Sequence, residues 1–447
     1  MRQLKQTLIL AAFLLAPSFS QAAEVVVVDA PEGVDVWLSE EHTIPIIAFR
    51  LSIPGGAAYD PAELPGLASM MSSLLDEGAG DLDDAAFKEA LETYAIRLGF
   101  GGGREYLSVS MSTLTENADE AFRLLSLALH SPRFDNGPIE RVRAQTLAGL
   151  RQDEEDPGTI ASRAWASHYF LDHPYAHNAG GTFESVAAIS QADIRGFAEE
   201  HLVRGGAKVA VAGDITSEQL GVYLEQVFGP MPIGNVEQVA PPAAFGEPGT
   251  EIIEMDIPQP AVIFGTRGPL RHDPDFIPAY VANYILGGGG FSSRLMDEVR
   301  EKRGLTYGIS TGLQAYRTTA LIRGSVQSER TKVMTALEVT RQEMARFASD
   351  GVTETELADA KTYLTGSFPL SLDSNSKIAG ALNGFQASGL GPEYVLERNS
   401  LIEAVTLERV NEVAARYYAP DGLVVVIAGT PAPEEEVAAA EGEQPAP

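Results

Sequence analysis

Cysteine is absent from the 447-residue chain. Disulfides, thiol catalysis and thiolate metal sites are therefore excluded, and any metal would have to be held by His, Asp or Glu. Basic residues are scarce, 32 Lys and Arg against 62 Asp and Glu, for a formal charge of −30. Such a surface repels nucleic acid and anionic lipid, and among peptides it favours cationic or unfolded ones. Beyond the first two dozen residues, no apolar run approaches the roughly 20 residues that cross a bilayer. No G-x-x-x-x-G-K-[ST] phosphate loop occurs. Of the seven histidines, only His173 and His177 stand four apart, and Pro174 lies between them. That stretch reads as a loop rather than a metal-bearing helix.

What is present begins with an export signal. Arg2 and Lys5 precede an apolar stretch over 7–16, and Ser20-Gln21-Ala22 supplies the small–x–small cleavage pattern. A signal peptide is expected over 1–23, cut after Ala22 or Ala23, with a periplasmic or equivalent destination. Its loss takes the formal charge from −30 to about −32, since it carries two basic residues and no acidic one. The remaining chain exceeds what one hydrophobic core serves, so two domains are expected.

Those two domains read as copies of one plan. Residues 189–214 lie without gaps on 405–430, with Ala198, Gly206, Val209, Ala212 and Gly213 meeting Ala414, Gly422, Val425, Ala428 and Gly429. Each copy reads as a helix N-capped by Ser190 or Thr406, a glycine turn and a buried strand. The beginnings correspond too, a strand over 44–53 and a helix over 64–75 in one half, a strand over 261–265 and a helix over 277–286 in the other. Between them, helices over 117–129 and 139–151 answer to 331–347 and 354–365. The expected organisation is a first domain over 24–232, a Pro- and Gly-rich linker over 233–248, a second domain over 249–432 and an acidic, disordered tail over 433–447.

The order of elements and the wording of both halves resemble the pitrilysin/insulinase family of inverted zinc peptidases, over about 400 residues. The resemblance implies an α+β fold of two homologous α/β-roll domains related by duplication. In active members the first long helix carries H-x-x-E-H, two His on one helix face for zinc and a Glu to polarise the bound water. Here those positions fall on Ser69, Ser72 and Ser73 within Ser69-Met70-Met71-Ser72-Ser73. The family's later Glu falls near Ala148 or Gly149. A neutral hydroxyl is a poor zinc ligand, so no metal is expected in this chain. Asp76-Glu77, just after the helix, reads as a solvated edge.

The second half keeps the family's other signature. Gly287-Gly288-Gly289-Gly290-Phe291-Ser292-Ser293-Arg294-Leu295 leads into Arg300-Glu301-Lys302-Arg303-Gly304-Leu305-Thr306-Tyr307. In active members the Arg and Tyr of this motif reach the bound peptide, which by resemblance assigns Arg300 and Tyr307 to the substrate carbonyl. A guanidinium and a phenol can both donate to an oxyanion. From spacing alone the plainer reading is an Arg complementing a helix C-terminus and a strand aromatic. Gly304 is expected to end the helix. Gly288, Gly289, Gly290 and Phe291 are candidates for close approach to a peptide backbone, or else a turn capping the preceding helix.

Lost ligands with a retained Arg/Tyr pair resemble the non-catalytic subunit of a heterodimeric peptidase. The implied partner is a homologous subunit carrying H-x-x-E-H and the zinc, and the implied substrate is an unfolded peptide added as a strand to a sheet edge. Residues 104–110 are the candidate edge strand. The alternative is a structural or peptide-binding scaffold of the same fold with no enzymatic partner.

Overall fold

The computed structural model describes residues 25–433. The expected signal segment, and all but the first residue of the expected acidic tail, lie outside the described residues. The first sheet contains β1 (Val26–Val27), β2 (Val34–Glu40), β3 (Ile46–Pro54), β4 (Arg97–Gly102), β5 (Tyr106–Leu114) and β6 (Ala207–Gly213), in the order β1-β2-β6-β3-β5-β4. The second contains β7 (Gly249–Ile253), β8 (Ala261–Arg267), β9 (Gly308–Ala315), β10 (Ala320–Gln327) and β11 (Val424–Ala428), in the order β7-β11-β8-β10-β9. Strand for strand, β7, β11, β8, β10 and β9 occupy the places of β2, β6, β3, β5 and β4. Each sheet has one parallel pair, β2–β6 or β7–β11, and is otherwise antiparallel. The fold is thus α+β and duplicated.

The helices repeat as well. The first half carries α1 (Leu67–Ser72), α2 (Asp84–Thr93), α3 (Ala118–His130), α4 (Asn136–Asp153), α5 (Pro157–Phe170), α6 (Phe183–Ala188), α7 (Gln191–His201) and α8 (Ser217–Phe228). The second carries α9 (Phe276–Asn283), α10 (Val333–Asp350), α11 (Glu354–Leu370), α12 (Asn375–Ala387), α13 (Tyr394–Glu403) and α14 (Leu407–Tyr417). Ser190 and Thr406 cap α7 and α14 as expected, each hydroxyl accepting from the backbone N–H three residues on. Within each half, one sheet face and its own helices enclose a core, around Phe49, Phe122 and Val211 in the first and Phe264, Phe347 and Ile427 in the second.

The opposite sheet faces are covered by exchange. Helix α5, from the first half, lies on β8 and β11 of the second sheet; α12, from the second half, lies on β3 and β6 of the first. Trp165, Tyr169 and Phe170 of α5 pack with Ile263, Leu321, Val424 and Val426. Trp165 Nε1 donates to the Val424 carbonyl at 2.9 Å. The reciprocal contact uses small residues, Ala379 of α12 against Ala48 and Ala212. There Asn383 Nδ2 donates to the Lys208 carbonyl at 2.8 Å and Gln386 Nε2 to that of Asp35 at 3.0 Å. The segment over 233–248 runs beside α5, with the Phe245 ring 5.1 Å from that of Tyr169.

Two expectations need correction. The helix over 64–75 is only α1: Gly66 sits at φ +96, and Asp60 accepts from the N–H groups of Gly66 and Ala68, so the helix starts late. After Ser73 the chain turns. The strand over 104–110 is not an edge either, because β5 lies between β3 and β4. The edge on that side is β4, whose glycines (Gly99, Gly101, Gly102) disguise it as a loop. Gly102 comes so close to α1 that a Cβ there would lie 2.9 Å from Ser69 Cα.

Candidate functional site

Helix α1 carries hydroxyls at the positions that the sequence resemblance assigns to metal ligands. Ser72 is buried and Ser73 exposed, and each Oγ donates to the Ser69 carbonyl at 2.9 Å. These side chains bond back onto the backbone of their own helix. Ala148 and Gly149 are exposed on α4 and bring no carboxylate. The donor set does not fit zinc. Among the described residues, no group of three or more His, Asp or Glu side chains is arranged to hold a metal. His173 and His177 flank a 3-10 turn (Pro174–Ala176), with His173 Nε2 2.8 Å from the Ala240 carbonyl.

Asp76 and Glu77 are not the solvated edge expected. Burial raises the Asp76 carboxyl above its ordinary range. Glu77 is largely buried and pairs with Lys88, at 2.6 Å, and with Arg141. The pair ties α1's exit to α2 and α4, a tertiary role that the local sequence does not reveal.

In the second half, α9 passes into a π-helical turn (Tyr284–Gly288) that carries the first glycines. A Cβ on Gly287 would lie 2.5 Å from Thr311 Oγ1 of β9, one on Gly288 2.7 Å from Asn283, and one on Gly289 2.8 Å from the Tyr284 carbonyl. Those three positions are filled by the chain's own atoms. Gly290, at φ +58, faces open space, and Phe291 beside it is 69% exposed.

A second π-helical turn (Met296–Glu301) carries Arg300, and Gly304 at φ +60 ends it, its N–H bonding to the Arg300 carbonyl at 2.8 Å. The Arg300 guanidinium lies 4.5 Å from the Phe291 ring centroid. Thr306 is buried and donates to the Gln327 carbonyl, while Ser328 Oγ donates to that of Leu305. This clamp onto β10 leaves Tyr307 standing outward just before β9, 81% exposed and without a side-chain hydrogen bond among the described residues. Arg300 lines two clefts, one of about 720 Å³ shared with Tyr307 and one of about 490 Å³ shared with Gly290 and Phe291. Arg300 thus stands between a cleft it shares with Tyr307 and one it shares with Gly290 and Phe291, and neither Gly288 nor Gly289 lines either of them.

Charge holds the Arg300 turn in place. Glu298, whose side chain is 11% exposed, receives Lys302 at 2.7 Å and Arg303 at 2.6 Å, with Arg346 at 3.3 Å. Hydrogen bonds from Lys302 and Arg303 outweigh burial and bring its carboxyl down to about 2. Glu356 is also held at about 2, because the Arg294 fork and the Thr353 cap overcome its burial. Burial moves neighbouring Glu343 the other way. A carboxyl depressed on folding stabilises the fold above its unfolded value near 4.5 and loses that contribution as pH falls toward 2. Urea titrations should therefore show a contribution to stability from Glu298 that is lost as pH falls from about 4.5 toward 2. Glu298→Gln should be destabilised at pH 7 and show a flatter acid limb; an unchanged limb would remove this network as its cause.

A further cavity, of about 730 Å³, opens between α5 and strands β9 and β10, with Arg104, Arg163 and Arg323 on its walls. The sequence holds one signal for it. Arg323 shares strand parity with buried Leu321, which places a charge on a covered sheet face.

The family model described as insulinase (peptidase family M16) matches residues 35–179. That described as peptidase M16 inactive domain matches 188–364. A "non-peptidase homolog YmxG" of Helicobacter pylori is 27% identical over 380 residues, 85% of this chain and 88% of that protein. An "uncharacterized zinc protease" of Mycobacterium leprae is 26% identical over 80% of this chain and 81% of its own length. A crystal structure of a peptidase M16 inactive domain from Pseudomonas fluorescens superposes with a TM-score of 0.87 at 28% identity, covering 91% of this chain and 98% of that one.

Proposed function

Because the chain belongs to the insulinase (peptidase M16) family, we propose that it is the non-catalytic, substrate-binding subunit of an exported, periplasmic zinc metallopeptidase. Its partner is a homologous subunit that carries H-x-x-E-H and the zinc. The observation that carries this reading is an asymmetry. The positions for metal and base are serines bonded to their own helix, whereas Arg300 and Tyr307 stand at the solvent-facing clefts of the second half. A scaffold has no need of a phenol 81% exposed and held outward by a clamp beneath it.

In this reading an unfolded peptide adds as a strand to a sheet edge. Edge strand β9 begins at Gly308, directly after Tyr307. Arg300 and Tyr307 donate to the scissile carbonyl as it gains negative charge, the guanidinium by charge and the phenol by its O–H. The partner's zinc supplies the activated water. The H. pylori relative described as a non-peptidase is in keeping with a chain that does not cleave alone.

Metal analysis of the purified chain, followed by size-exclusion chromatography with an H-x-x-E-H subunit from the same cell, tests the proposal. The expected result is no stoichiometric zinc in this chain and a stable pair with zinc in the partner. One zinc per isolated chain would overturn it. Failure to pair with any such subunit would favour the scaffold reading.

A further inference from the structure

The cavity between α5 and strands β9 and β10 has a charge the fold does not balance. Arg163 is paired with Asp153. Arg104 and Arg323 have no carboxylate within ion-pair distance among the described residues. Arg104 Nη1 donates to the carbonyls of Tyr175, at 2.7 Å, and His177, at 3.3 Å. Arg323 Nη2 donates to Ser162 Oγ at 2.6 Å, and its guanidinium lies 5.2 Å from the Trp165 ring centroid. Among the described residues its Nε, which is buried, has no hydrogen-bond partner, and neither has buried Nδ1 of His177, which also lines the cavity. Asp156, a carboxylate on that wall, is occupied in capping α5 through the Thr159 N–H.

Bringing two guanidiniums together and desolvating one is unfavourable unless an anion meets them. Burial lowers the Arg323 pKa, and the charge on Arg104 acts in the same direction. In a chain with 62 acidic residues, supplying a carboxylate here would have been simple. The open acceptor position therefore reads as the place of a ligand.

We propose that this cavity binds a carboxylate, carried by an extended peptide as its C-terminal group or as an acidic side chain. The peptide source rests on the function proposed above; the carboxylate chemistry does not. The cavity shares Ser310 and Ser325 with the cleft of Arg300 and Phe291, so the two regions adjoin. Arg323 is paired across the ladder with Gly312, five positions along β9 from Tyr307. At about 3.3 Å per residue, a strand added to β9 would place its carboxylate roughly 17 Å from Tyr307. The pair would then favour cleavage about five residues from an anionic group.

Fluorescence anisotropy on the full chain tests this with an extended, labelled peptide of about ten residues in three forms: free C-terminus, C-terminal amide, and amide with one internal Glu. The free acid, or the internal Glu if that is the source, should bind about 10-fold or more tightly than the amide. Arg323→Gln and Arg104→Gln should abolish that difference. Arg323→Lys should retain part of it, which separates loss of charge from loss of fold. In parallel, succinate at constant ionic strength should raise the thermal midpoint of the wild type but not of Arg323→Gln. Equal binding of all three peptides, with no succinate effect, would overturn the carboxylate site and leave peptide binding standing. A succinate effect dependent on Arg323, without peptide binding, would keep the site and remove the peptide as its source. Absence of both effects would overturn the site.

Discussion

Arg300→Ala is expected to lower kcat of the reconstituted pair about 100- to 1,000-fold, the cost of losing one oxyanion donor, or roughly 3–4 kcal/mol of barrier. Tyr307→Phe should act in the same direction. It removes one hydroxyl and keeps the ring. KM should change much less, because both donors act mainly on charge that develops during the reaction. Stability is the control. Tyr307 is 81% exposed and its hydroxyl has no hydrogen bond among the described residues, so Tyr307→Phe should leave the unfolding free energy within about 0.5 kcal/mol of wild type. Activity that survives both substitutions would remove the in-trans role. Equal losses of activity and stability would point to a packing defect.

The other large effect lies in the exchange of helices. Trp165 is fully buried between α5 and the second sheet, stacks on Tyr169 at 4.6 Å and donates to the Val424 carbonyl. Gly265 makes room for it, since a Cβ there would lie 2.7 Å from the indole. Trp165→Ala should cost about 3–5 kcal/mol, combining lost burial, a cavity and an orphaned contact. Because α5 is the first half's hold on the second sheet, the segment over 233–248 should also become more sensitive to protease. A loss under about 1 kcal/mol would mean that the α12 contact alone holds the halves together.

Much of this architecture could be read in the chain because it is written twice. The match of 189–214 to 405–430 corresponds to α7–β6 and α14–β11, and equal strand order follows from equal wording. The exchange of α5 and α12 was not legible. An amphipathic period says that a helix has a buried face, not which sheet buries it. The edge strand was misplaced because the glycines of β4 resemble a loop, while the alternation after Arg104 belongs to an interior strand. Helix α1 was overestimated because apolar residues continue past Ser73, whereas Gly66 and the Asp60 carboxylate decide where it starts. For the candidate site, motif wording pointed to Arg300 and Tyr307 and to the serines of α1. It could not indicate that Gly287 and Gly289 serve internal packing, or that Arg104 and Arg323, far apart in sequence, meet at one cavity.

The central claim, half of an active site without its metal, is tested most directly by peptidase assay of three samples: this chain, a zinc-bearing H-x-x-E-H subunit, and their mixture. The account predicts little cleavage by either alone and strong, chelator-sensitive cleavage by the mixture that depends on Arg300. Cleavage by this chain alone, or a zinc subunit fully active without it, would contradict the account.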